Sequence, residues 1–294
     1  MAFLKETIVI NIHEHRSGEA GLFANAYAVE TRDSLVVIDT TLTVSEARAF
    51  GKKLEALGKP VAAVLITHAH PDHVAGLSVW LPNPKTPIYA LASVDRLLRA
   101  IEEPKRAQWQ PVFKDEWVAK WTLPNRLVSD GDTVAVDGTK FQVHELGPGG
   151  DCDANSIWVM PGDQPAVFTG DLVFNGTHSY LADGHTTEWL RNLERVRSLA
   201  PPRAILYPGH GEPGGLNLLD AQASYLNSFR DTVREVSGGR ATLTDSELAV
   251  LTRRIEALVP SGKLSFMVGL SANVVADELA AEARTEKPAK TGNR

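Results

Sequence analysis

Seven consecutive uncharged residues, Val61-Ala62-Ala63-Val64-Leu65-Ile66-Thr67, end directly on His68-Ala69-His70-Pro71-Asp72-His73. A run this short and this apolar reads as a strand buried on both faces, which requires a sheet covered by further layers. The cluster after it therefore stands at the end of a central strand. Side chains at i and i+2 of an extended chain share a face, so His68 and His70 reach toward one point. The turn at Pro71 re-aims Asp72 and His73 toward a second. Imidazole and carboxylate donors suit a borderline divalent ion such as zinc, with manganese or iron also compatible. Cys152 is the only cysteine, so a site of paired thiolates is excluded.

The rest of the chain supplies the sheet and its covering. Segments 7–12, 23–29 and 34–39 read as strands. Val44, Ala47, Phe50, Leu54 and Leu57 then recur at helical spacing, behind a capping box of Thr43 and Glu46 and before a stop at Gly58. After the cluster come a strand at 88–90 and a helix at 93–101. Segment 104–124, with Trp109, Trp117 and Trp121, reads as an insertion over the site or an interface, or as a surface loop folded on its own aromatics. Strands resume at 133–136, 140–146, 156–160 and 166–169, followed by a helix at 187–199 and a strand at 204–207. Helices at 216–236, 244–258 and 272–283 close the chain. Residues 1–215 are thus expected to form an α/β domain, 216–284 helices packed on it, and 285–294 a polar tail.

The formal net charge of −6 is spread without a basic block, which argues against a nucleic-acid partner. No stretch approaches the roughly 20 apolar residues of a membrane helix. Residues 1–14 show no secretory signal, so a cytoplasmic protein acting on a small molecule is expected. Leu218, Leu219, Ala221, Tyr225 and Phe229 fit core packing or the interface of a homodimer.

The segment His68 to His73 resembles the HxHxDH signature of the metallo-β-lactamase superfamily. Residues 34–39, ending on Asp39, are similar to that family's early strand. Phe168-Thr169-Gly170-Asp171-Leu172 resembles its Gly-Asp motif, and Tyr207-Pro208-Gly209-His210-Gly211 its closing Gly-His motif. The resemblance implies an αββα sandwich, here with a C-terminal helical extension. It implies that His68 and His70 hold one ion, that Asp72, His73 and His210 hold a second, and that Asp171 bridges. Asp39 would support the ligands from behind. Two zinc ions are the implied cofactor.

One mark of the family is missing. Its third histidine for the first ion would fall at Gly150, within Gly147-Pro148-Gly149-Gly150-Asp151-Cys152-Asp153. Asp151, Cys152 and Asp153 are the nearby replacements and His144 a fourth; Asp151 is the expected ligand. A weaker first site would leave the second to fill first. The chemistry implied is hydrolysis of an ester, thioester, lactone or lactam by a metal-bound hydroxide, with Asp72 orienting the water and moving its proton. Two other readings are an iron-dependent oxidoreductase or dioxygenase of the same superfamily and a metal-binding module without catalysis. His178, Tyr180 and His185, after Asp171, are candidates for substrate contact. His13 and His15 read as surface residues.

Overall fold

The computed structural model describes residues 10–81 and 83–286. Residues 7–9 of the strand expected at 7–12 lie outside the described residues. The first described strand is β1 (Asn11–Arg16), with β2 (Asn25–Glu30) and β3 (Leu35–Ile38) antiparallel beside it. From β3 the sheet turns parallel through β4 (Val61–Leu65), β5 (Ile88–Leu91) and β6 (Arg126–Val128). The second sheet runs in the order β11-β10-β9-β8-β7. Its strands are β7 (Thr133–Val136), β8 (Thr139–Gly147), β9 (Asn155–Met160), β10 (Ala166–Phe174) and β11 (Ile205–His210), of which only β10 and β11 pair in parallel.

The period of two along β9 and β10 produces the layering. Trp158, Met160 and Phe168 point into a core shared with the first sheet and with Phe50 of helix α1 (Val44–Ala56). Ile157, Val159 and Val167 point the other way, into a second core with Trp189 of α4 (Thr186–Leu199) and Phe229 of α5 (Asn217–Ser237). Both faces of these strands are buried, as an αββα sandwich demands. The remaining helices, α6 (Asp245–Glu256) and α7 (Phe266–Glu286), complete the second core through Leu251, Ile255, Val268 and Val275.

Two helices exceed their expected lengths, and both bear on the site. After the short α2 (Leu77–Trp80), α3 runs from Ala92 to Phe113, through Pro104 and Pro111, so 104–113 is helix rather than loop. A proline deprives the carbonyl four residues earlier of its donor. Ala100 and Ala107 are both exposed, so those carbonyls can turn to water and the helix survives. Helix α7 begins at Phe266, not at 272. Both extensions carry aromatic and aliphatic side chains to the same opening.

Candidate metal centre

The site gathers at one edge, where strands of both sheets end. β4 delivers His68 and His70, and the short turn Pro71–His73 reorients Asp72 and His73. Asp171 lies on β10 and His210 closes β11. Asp151 comes from the loop between β8 and β9. Close approach of these strands needs absent side chains. A Cβ on Gly209 would stand 1.7 Å from Asp171 Oδ1, and one on Gly170 would stand 2.4 Å from Thr67 Oγ1.

Two groups of donor atoms converge: His68, His70, Asp151 and Asp171 in one, and Asp72, His73, Asp171 and His210 in the other. Asp171 belongs to both, with Oδ1 3.3 Å from His73 Nε2 and Oδ2 3.1 Å from His210 Nε2. Asp72 Oδ2 lies 3.5 Å from His210 Nε2 and 3.6 Å from His73 Nε2. In the first group Asp151 Oδ2 is 2.5 Å from His70 Nδ1 and Oδ1 is 3.6 Å from His68 Nε2. The expected shortage of ligands around the first ion is therefore absent: each group has two imidazoles and two carboxylates. Ligand number gives no reason for the second site to fill first.

The other replacements considered for the missing histidine point elsewhere. The Cys152 thiol faces Ala154 O and Asn155 Oδ1 at 3.4 and 3.7 Å. Asp153 Oδ1 pairs at the surface with His185 Nε2 at 2.8 Å, and His144 stays on β8 near Asp130. Gly150 itself has no room for a side chain, since a Cβ there would meet Asn155 Oδ1 at 2.6 Å. Asn155 is fixed by donating to the carbonyls of Cys152 and Gly147.

Hydrogen bonds behind the ligands set their tautomers. Asp39 Oδ1 accepts from the Thr67 backbone N–H at 2.8 Å and Oδ2 from the Thr67 hydroxyl at 2.6 Å. With its proton so engaged, Thr67 Oγ1 accepts from His68 Nδ1 at 2.9 Å. His73 Nδ1 donates to Asp39 Oδ2 at 3.2 Å. Both rings then present an unprotonated Nε2 to the centre, the form a metal requires. Asp39 thus holds Thr67 and His73 in place from behind the donor groups. The His210 ring is held flat against Phe174, with centroids 4.9 Å apart.

Whether this donor set fits a metal can be tested on its buried polar atoms, which normally find partners. Nε2 of His68, His70, His73 and His210 and Oδ1 of Asp151 and Asp171 are all buried without a hydrogen bond. Such a concentration of unpaired lone pairs at one point is costly unless cations satisfy it. Protonation states agree. Burial opposes charging His70 and His210, yet Asp151 and Asp171 outweigh it and push them up to about 10 and about 9. Burial raises Asp151 to about 7. Protons stand in for the missing positive charge.

Over the centre lies an open cleft of ≈ 580 Å³, lined at its base by His70, Asp72, Asp151, Asp171 and His210. Tyr180 lines it too, its ring 5.5 Å from that of His70 and its hydroxyl donating to Asp183 at 3.2 Å. The other two candidates for substrate contact face away. His178 is buried against Tyr225, whose hydroxyl is 3.1 Å from its Nδ1. His185 adopts a left-handed conformation before α4 and is held by Asp153. A turn follows Tyr180, so neighbours in sequence diverge in space. Asp183, not singled out in the sequence, lies 3.6 Å from His70 Nε2. His13 and His15 are not free surface residues but half-buried on β1, paired with Glu30 and Glu46 at 3.1 Å each.

A layered sandwich with paired His/Asp groups at the edge between its two sheets defines a class of metal-binding protein. The chain belongs to the metallo-beta-lactamase superfamily, whose model matches residues 20–210. It is 28% identical over 193 residues to the beta-lactamase-like protein 2 homolog of Caenorhabditis elegans, a match covering 64% of this chain and 55% of that one. To a hydroxyacylglutathione hydrolase of Chromohalobacter salexigens it is 26% identical, over 66% of this chain and 64% of the relative. The chain thus spans between about half and two thirds of these curated relatives. Among solved structures, a metallo-beta-lactamase from Pontibacter korlensis superposes with a TM-score of 0.58 at 20% identity, covering 76% of this chain and 97% of the other. The protein TTHA1623 in a di-iron-bound form gives 0.55 at 29% identity, covering 70% and 96%. No helix among the described residues is long and apolar enough to cross a membrane.

Proposed function

We propose that the chain is a metal-dependent hydrolase of a small carbonyl substrate, with two divalent ions, zinc foremost, held by His68, His70, Asp151 and Asp171 and by Asp72, His73, Asp171 and His210. The observation that carries this is the set of buried, unpartnered nitrogen and oxygen atoms meeting at the base of an open cleft. Hydrolase relatives in the same superfamily support it. Bound divalent ions would supply an acidified water and polarise a carbonyl oxygen.

The chain's own residues do the rest. Asp171 fixes the spacing of the two groups by contributing to both. Asp72 belongs to the second group and also lines the cleft, so its carboxylate can orient a water and take its proton. Asp39 and Thr67 keep His68 and His73 in the tautomer that leaves Nε2 free. Trp109, Phe113 and Trp117 wall the cleft and lower its polarity, which strengthens each electrostatic contact inside it. An ester, thioester, lactone or lactam would yield its acid by addition of water across the acyl bond, with the proton leaving on the departing group.

The test is a panel of these four substrate types with zinc-loaded protein, chelated protein and Asp72→Asn. Turnover that needs metal, and that falls at least about 100-fold in Asp72→Asn compared at saturating zinc, is expected. About two zinc ions per chain with no turnover on any of the four would sink the hydrolase reading.

A further inference from the structure

The cleft has one ionic feature that hydrolysis as described does not use. Lys105 lines it, one turn before Trp109 on α3. Its Nζ lies 5.8 Å from the centroid of the Tyr180 ring. Lys105 makes no ion pair among the described residues. The nearby carboxylate of Asp183 already accepts from Tyr180 and faces His70. An ammonium resting on an aromatic face, half withdrawn from water, is poorly satisfied and ready for an anion. All other cationic side chains at the cleft are histidines of the centre.

The walls around this charge are apolar. Trp109 and Phe113 come from α3, while Phe266, Met267 and Leu270 face them from α7. Phe266 and Leu270 are 49% and 48% exposed, large apolar surfaces left open at the mouth. Surface of this kind around a concave site marks where an apolar group is received. A hydrophobic channel with one unpaired cation near its base describes a substrate with two features. One is an aliphatic or aromatic arm. The other is a negative charge close to the reacting carbonyl, because the Tyr180 ring that carries Lys105 also touches His70.

We propose that Lys105 is a specificity-determining residue that pairs with a carboxylate of the substrate, while the apolar arm lies between α3 and α7. The proposal rests on the hydrolase reading and names its substrate class: apolar acyl compounds bearing a carboxylate next to the scissile bond.

Matched 4-phenylbutyryl thioesters of mercaptoacetate and of mercaptoacetamide, differing only in that carboxylate, test it on the zinc-loaded full chain. Lys105→Gln is expected to raise KM for the carboxylate substrate roughly tenfold, leaving kcat and the neutral substrate unchanged, and Lys105→Arg to restore it. Calorimetric binding of N-(4-phenylbutyryl)glycine and its amide, which need no turnover, should show the same tenfold loss of the acid-to-amide preference. Thermal melting of the variants checks that they fold. If the wild type turns over neither thioester, the four-substrate panel decides the hydrolase reading while the binding preference still decides the role of Lys105. An acid-to-amide ratio equal in wild type and Lys105→Gln overturns the proposal.

Discussion

Asp151→Ala separates a metal ligand from a structural residue, and its effect can be worked out from the geometry. In the metal-free protein the His70–Asp151 pair contributes two opposing amounts. His70, raised to about 10, favours folding. That stability is present below its unfolded pKa near 6.5 and is lost as pH rises through about 10. Asp151, held up by burial, opposes folding at pH 7. Both shifts share the one His70–Asp151 attraction at 2.5 Å, so they do not cancel as independent sums. Asp151→Ala leaves His70 buried without that partner and should destabilise the metal-free protein by up to about 3–5 kcal/mol. With metal the outcome differs. Losing a direct ligand should weaken one ion at least about 100-fold, the upper end seen for groups behind the ligands. That removes about 2.7 kcal/mol of ligand-linked stability, or roughly 5–10 °C of the melting shift that zinc induces. Calorimetric melting with and without zinc and metal analysis after dialysis measure both sides. A fall from about two ions per chain to about one, with a smaller zinc-induced melting shift than in the wild type, is expected. Two ions retained at unaltered affinity would show that Asp151 is not a ligand.

Four further outcomes follow from other parts of the site. Asp39→Asn loses an acceptor for Thr67 and His73 and should weaken metal binding 10- to 100-fold without touching the cleft, as competition with a chelator would read. Gly150→Ala, although one step toward the family's histidine, sets a Cβ 2.6 Å from Asn155 Oδ1 and should cost about 1–3 kcal/mol in denaturant melts. Because neighbouring carboxylates hold His70, His73 and His210 protonated above the usual imidazole range, zinc loading at pH 7 should release about three protons. Apparent affinity should therefore rise with pH from 6.5 to about 9, and buffer-dependent calorimetry measures the release. Arg230, buried in α5 with Glu282 at 2.8 Å and Glu278 at 3.5 Å on α7, pins the helix that forms one wall of the cleft. Arg230→Ala should destabilise by about 1–3 kcal/mol and speed hydrogen exchange in α7, because Glu278 and Glu282 lose a buried guanidinium while keeping Thr186, Thr187 and Arg234.

Much of the centre was legible because its ligands sit in short motifs whose local geometry is set by the chain itself. An apolar strand followed by His68-x-His70-x-Asp72-His73 forces alternation and then a turn, whatever surrounds it. Asp171, within β10, and His210, at the end of β11, carry no such local signal and were expected only from the family resemblance. The αββα layering was expected from the family resemblance; its physical basis, the burial of both faces of β9 and β10, is seen in the fold. Loops carried no such signal. His178, Tyr180 and His185 lie within eight residues of one another, yet only Tyr180 faces the cleft. No periodicity governs a turn.

What the sequence determined by itself was the kind of atoms at the centre and the two points they serve, since alternation, prolines and glycines act within a few residues. Only the tertiary structure decided which member of the glycine-rich loop joins the centre, because Asn155 occupies the space beside Gly150 and a thiol, an amide and two carboxylates compete for partners from distant strands. It likewise decided what faces the donor groups from above. Helices α3 and α7 are separated by more than a hundred residues, and packing of α3 on the first sheet and of α7 on α5 and α6 is what brings Lys105 and Leu270 to the same opening.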